Sequence, residues 1–158
     1  AHVLLVHGGG HGAWCWFDVQ RYLSGAGIDS TAIDLPGSGQ DTTSRSSVTL
    51  QSYIDSVTTH IDAIDDDVLL VGHSIAGLTL PAATAARSDR ICHVMYIAAL
   101  ITGSGERGID SIPEERRPSY FELAEQSPDN SFLPPSKLRG IAFPTLEEAQ
   151  ARDTYADL

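Results

Sequence analysis

The most constraining stretch of the chain is residues 68–77, where an apolar run ends in a serine that has small neighbours. The stretch reads Val-Leu-Leu-Val-Gly-His-Ser-Ile-Ala-Gly. The apolar run is typical of a buried strand, and the residues after Ser74 favour a helix. Small residues at Gly72 and Ala76 indicate a sharp, strained turn between the two, because bulk there would collide with the adjoining backbone. Such a turn exposes the serine hydroxyl, so Ser74 is the candidate nucleophile.

The composition is that of a globular domain with an acidic surface. The 158 residues are 42% hydrophobic and 20% charged, which suffices for one domain with a buried core. Acidic residues outnumber basic ones 21 to 10, and the formal charge of −11 would repel nucleic-acid phosphates and anionic membrane surfaces. No apolar run is long enough to cross a bilayer. We therefore expect neither nucleic acid nor a membrane as partner, and a homodimer stays open.

The cysteines and histidines bear on compartment and on metal binding. Cys15 and Cys92 are the only two cysteines, and strand-like sequence begins almost at Ala1 without a signal peptide. We therefore expect two free thiols in a cytoplasmic protein rather than a disulfide. The six histidines are dispersed and the cysteines lie far apart, so the sequence implies no metal site and no cofactor.

Strand and helix signals alternate over the first hundred residues, which predicts an α/β fold with a parallel sheet and helices on both faces. Thr49 is the predicted N-cap of the helix with the clearest apolar periodicity. Pro81 should kink another helix or mark a boundary in its first turn. The predicted strands are 3–6, 28–33, 68–71 and one within 91–101, and the predicted helices are 16–24, 50–64 and 75–87.

The character of the chain changes after residue 102, where glycines and prolines break it into short pieces. Short helices are predicted at 120–126 and 146–157. Ligands of an open parallel sheet bind beyond the carboxyl ends of its strands, so an insertion after the fourth strand would lie over the site. We therefore predict a core over residues 1–102 and the beginning of a cap or lid over residues 103–158.

A serine hydroxyl is a weak nucleophile, so the site needs a base and hydrogen-bond donors for the oxyanion that forms. The N–H of Ile75 follows the serine at a helix N-terminus and is one candidate donor. The second donor is expected from the glycine loop after the first strand, with the N–H of Gly9 preferred. His11 and Trp14 border this loop as candidate substrate-binding residues. Packing within the loop and the core is the competing interpretation for both.

Three stretches, in their order and spacing, resemble the α/β-hydrolase superfamily, in the branch of plant-type methyl esterases and hydroxynitrile lyases with their bacterial relatives. They are residues 6–16 (Val-His-Gly-Gly-Gly-His-Gly-Ala-Trp-Cys-Trp), residues 34–39 (Asp-Leu-Pro-Gly-Ser-Gly) and residues 72–77. The usual final glycine of the serine motif is replaced by Ala76, which is small enough for the turn. The resemblance implies a serine esterase that acts through an acyl-enzyme on a small, largely apolar ester.

Position 8 bears on which reaction the resemblance implies. Hydroxynitrile lyases of this type carry a threonine hydroxyl where this chain has Gly8. Glycine has no side chain that could hold a cyanohydrin oxygen. The resemblance therefore favours ester hydrolysis, with a lyase that cleaves a C–C bond as the alternative.

The rest of the catalytic triad has no match in the chain. In the family an acid and then a histidine follow the serine on loops after later strands. No histidine occurs after His93, and the family's usual role for the position of Asp34 is to support the following loop. His73 adjoins the serine, but consecutive side chains at a sharp strand end point in different directions. We therefore expect the 158-residue chain alone to be a poor catalyst.

The sheet itself points to a part of a longer protein. A four-stranded sheet that ends in a lid would leave an edge strand unpaired and apolar surface exposed, and both promote aggregation. We interpret the chain as the N-terminal part of a longer enzyme with an incomplete sheet. The alternative is a short, non-catalytic relative that binds a small apolar ligand or completes its sheet with a partner chain.

Overall fold

The computed structural model describes residues 1–125, which contain a four-stranded, fully parallel sheet. The strands are β1 (His2–Val6), β2 (Ser30–Ile33), β3 (Val68–His73) and β4 (Ile91–Ile97). The strand order is β2-β1-β3-β4, so the first and third strands lie inside and the second and fourth form the edges. The α/β fold predicted from the alternation is confirmed.

The helices are α1 (Phe17–Gly25), α2 (Leu50–Asp62), α3 (Leu80–Ala86) and α4 (Arg117–Glu125). The chain divides into two compact units, 1–111 and 112–158, and α4 belongs to the second. It begins three residues before the short helix predicted at 120–126. The helix predicted at 146–157 lies outside the described residues. The core over 1–102 and the cap over 103–158 stay predictions.

Alternating residues of β1 divide the core between the two faces of the sheet. Leu4 and Val6 pack on one face in a cluster that includes residues of α2 and α3. Val3 and Leu5 pack on the other face with Trp16, which lies at the start of α1. Helices therefore cover both faces, as predicted. Full burial of side chains of this size stabilises the fold by about 1.5–3 kcal/mol each.

The predicted N-cap of α2 is confirmed. The side-chain oxygen of Thr49 accepts the N–H of Ser52 at 3.1 Å, and the N–H of Thr49 donates to the hydroxyl of Ser52 at 3.0 Å. This reciprocal capping box satisfies two backbone donors at the start of the helix. The helix ends at Asp62, two residues before the predicted end.

The single helix predicted over 75–87 is wrong in its first part. Residues Ser74–Leu78 form a 3₁₀ turn, and α3 begins only at Leu80. Pro81 lies in the first turn of α3, where its missing N–H costs no helical hydrogen bond. The proline therefore marks a helix boundary, which is one of the two roles predicted for it.

The two edges of the sheet differ in length and in character. The β2 edge is four residues long and begins with Ser30 and Thr31. The β4 edge is seven residues long and, apart from His93, apolar on both faces, with Met95, Tyr96 and Ile97 exposed by 47%, 41% and 39%. A strand that is apolar on both faces is typical of the interior of a parallel sheet. The β4 edge therefore has the composition of an interior strand, and the sheet is partial.

Within residues 1–125, no helix is long and apolar enough to cross a membrane. Over the same residues, no group of three or more histidine, cysteine, aspartate and glutamate side chains could hold a metal ion. Cys15 and Cys92 are both free thiols in the structure, as expected.

Candidate active site

Ser74 occupies the sharp turn directly after β3. Its φ is +54°, which places a residue with a side chain in the left-handed region. Such a conformation costs about 1–3 kcal/mol and persists only where the surroundings hold it. Here the carbonyl of Ser74 accepts the N–H of Leu100 at 2.8 Å, so the turn is tied to the chain beyond β4. The strained turn expected from the sequence is present.

The glycines around the turn are required by close packing. A Cβ at Gly72 would lie 2.6 Å from Cδ2 of Leu80 and 3.0 Å from the Cβ of Ala76. A Cβ at Gly77 would overlap the carbonyl oxygen of Leu100. From the sequence we expected bulk at Gly72 or Ala76 to collide with backbone. In the structure the collision with backbone is at Gly77, whereas a Cβ at Gly72 would meet side chains.

The glycine loop after β1 runs alongside this turn. A Cβ at Gly8 would lie 2.7 Å from Nδ1 of His73 and 3.0 Å from the Cβ of Ser74. A Cβ at Gly9 would lie 3.7 Å from Cγ2 of Ile75, which is ordinary van der Waals contact. The structure thus brings Gly9 and Ile75, the two candidate oxyanion donors, next to each other at the turn that carries Ser74.

An aromatic cluster borders the same loop. The ring of His11 stacks on Trp14 with ring centroids 5.5 Å apart and an interplanar angle of 20°. The same ring meets His73 edge-on, at 5.9 Å and 80°. Nδ1 of His11 also donates to the carbonyl of Gly9 at 2.8 Å, and all three rings are half-buried. Both candidate substrate-binding residues therefore lie close to the turn.

His7 has a structural role at the start of the loop. Its side chain is buried, Nδ1 donates to the carbonyl of Gly8 at 2.7 Å, and Nε2 accepts the N–H of Leu35 at 3.1 Å. These two bonds require the neutral ring with its proton on Nδ1. Burial lowers the pKa of His7, which favours the same neutral form. His7 therefore links two loops and is not a base for Ser74.

His73 is not placed as a base either. Its ring lies against Gly8, and burial followed by the charge of His11 lowers its pKa. Among residues 1–125, no hydrogen bond joins the hydroxyl of Ser74 to a histidine ring. Within residues 1–125, the candidate nucleophile Ser74 therefore lies beside two candidate backbone donors and has no hydrogen bond to a histidine base.

Asp34 contacts both loops beside the candidate site, and the sequence revealed only one of these contacts. One carboxylate oxygen accepts the N–H of Ala13 at 2.6 Å, and the other accepts the N–H of Gln40 at 3.1 Å. The bond to Gln40 agrees with the loop-supporting role that the family resemblance implied. The bond to Ala13 reaches the glycine loop after β1, which no spacing in the sequence indicated. A signal was available in Gly12 and Gly39, because both glycines pack on this carboxylate.

The sequence profile of the alpha/beta hydrolase family matches residues 3–157 of the chain. The chain belongs to the α/β-hydrolase family. Its relatives within the family include plant methylesterases. Methylesterase 1 of Arabidopsis thaliana is 39% identical over 105 residues, and norfluorocurarine synthase 1 of Strychnos nux-vomica is 39% identical over 103 residues.

A solved structure extends the likeness to nearly the whole α/β-hydrolase chain. An extracellular α/β-hydrolase from a Paenibacillus species, which shares structural and functional homology with tobacco salicylic acid binding protein 2, superposes on 99% of the chain. The TM-score is 0.86 and the sequence identity is 26%. Because that relative is extracellular, the expected cytoplasmic location stays a prediction.

This α/β-hydrolase chain covers only part of each relative. The alignments span 63% of the chain but 40% of methylesterase 1 and 39% of norfluorocurarine synthase 1. The superposition on the Paenibacillus hydrolase covers 65% of that chain. The relatives therefore contain a substantial stretch that has no counterpart in the 158 residues.

Proposed function

We propose that this chain is the N-terminal part of a serine-dependent carboxylic ester hydrolase. The observation that carries the proposal is the left-handed conformation of Ser74 at the carboxyl end of β3, beside the glycine loop. In this role the Ser74 hydroxyl attacks the ester carbonyl, the alcohol leaves, and the acyl-enzyme is then hydrolysed by water. The family membership of the chain supports the same reaction class.

Gly9 and Ile75 supply the oxyanion hole in this proposal. Their adjacency at the turn supports the assignment, because an oxyanion formed at Ser74 needs donors on one side of the serine. The Ile75 N–H belongs to the residue directly after the nucleophile, as in other hydrolases with this turn. Loss of one such donor typically lowers kcat by about 10²–10³.

His11 and Trp14 are the proposed substrate-binding residues. Their stacked rings present a flat, half-buried surface close to the loop of Gly9. An apolar surface of this kind favours a small, largely apolar ester over a charged one. The preference for a particular acyl group and a particular alcohol in the ester depends on the rest of the pocket, which the whole enzyme forms.

The catalytic histidine and acid come from outside the 158 residues in this proposal. Ser74 has no histidine partner in the described part of the chain, and no histidine follows His93 in the sequence. The relatives are longer, and the exposed apolar β4 has the composition of an interior strand. Without a base, serine hydrolases retain only about 10³–10⁴-fold acceleration over water. The chain alone should therefore be nearly inactive.

The geometry at position 8 favours ester hydrolysis over cyanohydrin cleavage. Any side chain there would come within 2.7 Å of the ring of His73, so a threonine would force that ring to move. The loop has neither a hydroxyl at this position nor room for one. A lyase would need a different group to hold the cyanohydrin oxygen.

The proposal is tested by measuring the hydrolysis of small apolar methyl and p-nitrophenyl esters by the protein at the length it has in its native cell. We expect that Ser74→Ala abolishes turnover and that the exposed Ser24→Ala variant, on α1, does not. The isolated 158-residue chain should show little turnover. Stoichiometric ligand binding without turnover at native length would contradict the proposal and support a non-catalytic binding protein.

A further inference from the structure

The carboxylate of Asp34 connects the two loops that surround the candidate site. Asp34 directly follows β2, and its two oxygens accept the N–H of Ala13 from the first loop and that of Gln40 from the second. Hydrogen bonds to an ionised acceptor are about twice as strong as bonds between neutral groups. A single side chain therefore holds both loops at the carboxyl end of the sheet.

Two glycines allow the backbones to approach this carboxylate. A Cβ at Gly12 would lie 2.7 Å from Oδ1 of Asp34 and 2.8 Å from the Cα of Gly39. A Cβ at Gly39 would overlap the carboxylate itself, and Gly39 has a φ of +57°. The contact thus depends on one carboxylate and on one glycine from each loop.

The glycine loop is fixed at its other end by a neighbour of Asp34. The N–H of Leu35 donates to His7, and His7 donates to the carbonyl of Gly8. The stretch 8–13 is therefore held at its start through Leu35 and at its end through Asp34, which are consecutive residues after β2. Gly9 lies between these two points of attachment.

We propose that Asp34 is a positioning residue for the Gly9 N–H and for the ring of Trp14. The inference rests on the proposed function, because it concerns the donor that faces the oxyanion at Ser74. Asp34 acts through the Ala13 N–H, where the glycine loop passes into the 3₁₀ turn Ala13–Trp16. Removing this attachment lets the loop shift, and a misplacement of about 1 Å can cost about 10²-fold in rate.

The first test is Asp34→Asn in the native-length protein, with rates expressed per serine that a fluorophosphonate titrates. We expect kcat to fall by about 10²-fold while KM changes little, because the donor acts on the transition state. The matched control is Asp41→Asn. Asp41 accepts the N–H groups of Gly37 and Thr43 within the second loop only, so kcat should stay close to that of the parent.

The second test does not depend on turnover. Amide hydrogen exchange in the 158-residue chain should accelerate at Ala13 and Gln40 in Asp34→Asn, and at Ala13 it should stay slow in Asp41→Asn. Gly12→Ala should reproduce the acceleration at Ala13 with the carboxylate still present. If Asp34→Asn does not fold, the exchange rate at Ala13 in Gly12→Ala decides whether the contact with Asp34 holds the loop.

The outcomes separate the two proposals. If the native-length parent hydrolyses no ester, the proposed function fails, and the exchange rates still decide whether Asp34 holds the loop. An unchanged kcat in Asp34→Asn would overturn the positioning role. So would exchange at Ala13 that is equally slow in the parent and in both loop variants, Asp34→Asn and Gly12→Ala.

Discussion

The ring of His73 lies so close to Gly8 that a methyl group at position 8 would come within 2.7 Å of Nδ1. His73 is the last residue of β3, and Gly8 belongs to the loop after β1. The two strands pair directly in the sheet, with Val6 opposite Gly72. The glycine loop is therefore packed onto the residue before the candidate nucleophile, and the size of residue 8 sets how closely the loop approaches.

This packing predicts a difference between two neighbouring glycines. Gly8→Ala should lower the free energy of unfolding by about 1–3 kcal/mol, because the added methyl group overpacks a closed contact. Gly9→Ala should change it by less than about 0.5 kcal/mol, since its Cβ would lie 3.7 Å from the nearest atom. Urea denaturation of the 158-residue chain measures both. Equal decreases in the free energy of unfolding for the two variants would contradict the close packing of Gly8 on His73.

A second prediction concerns the support behind the turn of Ser74. Gly77→Ala should destabilise the fold by more than about 1 kcal/mol, because its Cβ would overlap the backbone oxygen of Leu100, which cannot move as a side chain can. Gly25→Ala is the matched control, since a Cβ there meets nothing within 4 Å at the end of α1. The control should be neutral or stabilising by up to about 1 kcal/mol. A tolerated Gly77→Ala would contradict the close contact.

Acidification should destabilise the fold through the buried His7. Burial lowers the pKa of His7 from its ordinary value of 6.5, so between that value and the lower folded-state pKa the unfolded chain binds more protons. The free energy of unfolding is therefore highest above pH 6.5 and falls as the pH decreases through this range. The pKa values of Asp41 and Asp62 are lowered from 3.8 by hydrogen bonds, so their contribution is lost only in more acidic solution.

The measurement is the free energy of unfolding from urea denaturation at several pH values between 7 and 5. We expect the decrease to be smaller in His7→Asn, which has no group that titrates at this position. A slope that is the same in His7→Asn and in the parent would rule out His7 as its source. Greater stability at pH 5 than at pH 7 would contradict the direction itself.

The exposed face of β4 predicts that the 158-residue chain self-associates. An apolar edge strand with Met95, Tyr96 and Ile97 exposed is a template for pairing with another chain. Met95→Lys should weaken the self-association about tenfold or more, which corresponds to about 1.4 kcal/mol. Ser30→Lys places the same charge on the opposite edge and should have little effect. Sedimentation velocity over a range of concentrations measures the self-association of the parent and of both variants. A parent that stays monomeric throughout would contradict the prediction.

Much of the fold was predictable because local patterns and tertiary structure agree. Each apolar run that predicted a strand contains one, although β2 begins two residues later than predicted and β3 ends two residues later. Thr49 precedes α2 where its hydroxyl predicts an N-cap. The predicted helix over 75–87 was wrong where tertiary contacts override propensity. There the contact between Gly77 and Leu100 and the hydrogen bond from Leu100 to Ser74 accompany a 3₁₀ turn instead of an α-helix.

The candidate site was predictable only where its parts lie in one motif. Ser74 and Ile75 are adjacent in the sequence, and Gly9 stands in a loop with its own glycine pattern. The bond between Asp34 and Ala13 joins residues 21 positions apart, and it depends on how two loops pack at the end of a sheet. No local periodicity records such a contact. The edge-on approach of His11 to His73 has the same origin.

The central claim is that Ser74 is the nucleophile of an ester hydrolase, and the most direct test is covalent labelling of the native-length protein with a fluorophosphonate. Intact mass followed by peptide mapping should show one adduct, located on Ser74, and Ser74→Ala should show none. Ser24→Ala should be labelled as the parent is. An adduct on another serine, or ester hydrolysis that continues without any adduct, would contradict the claim.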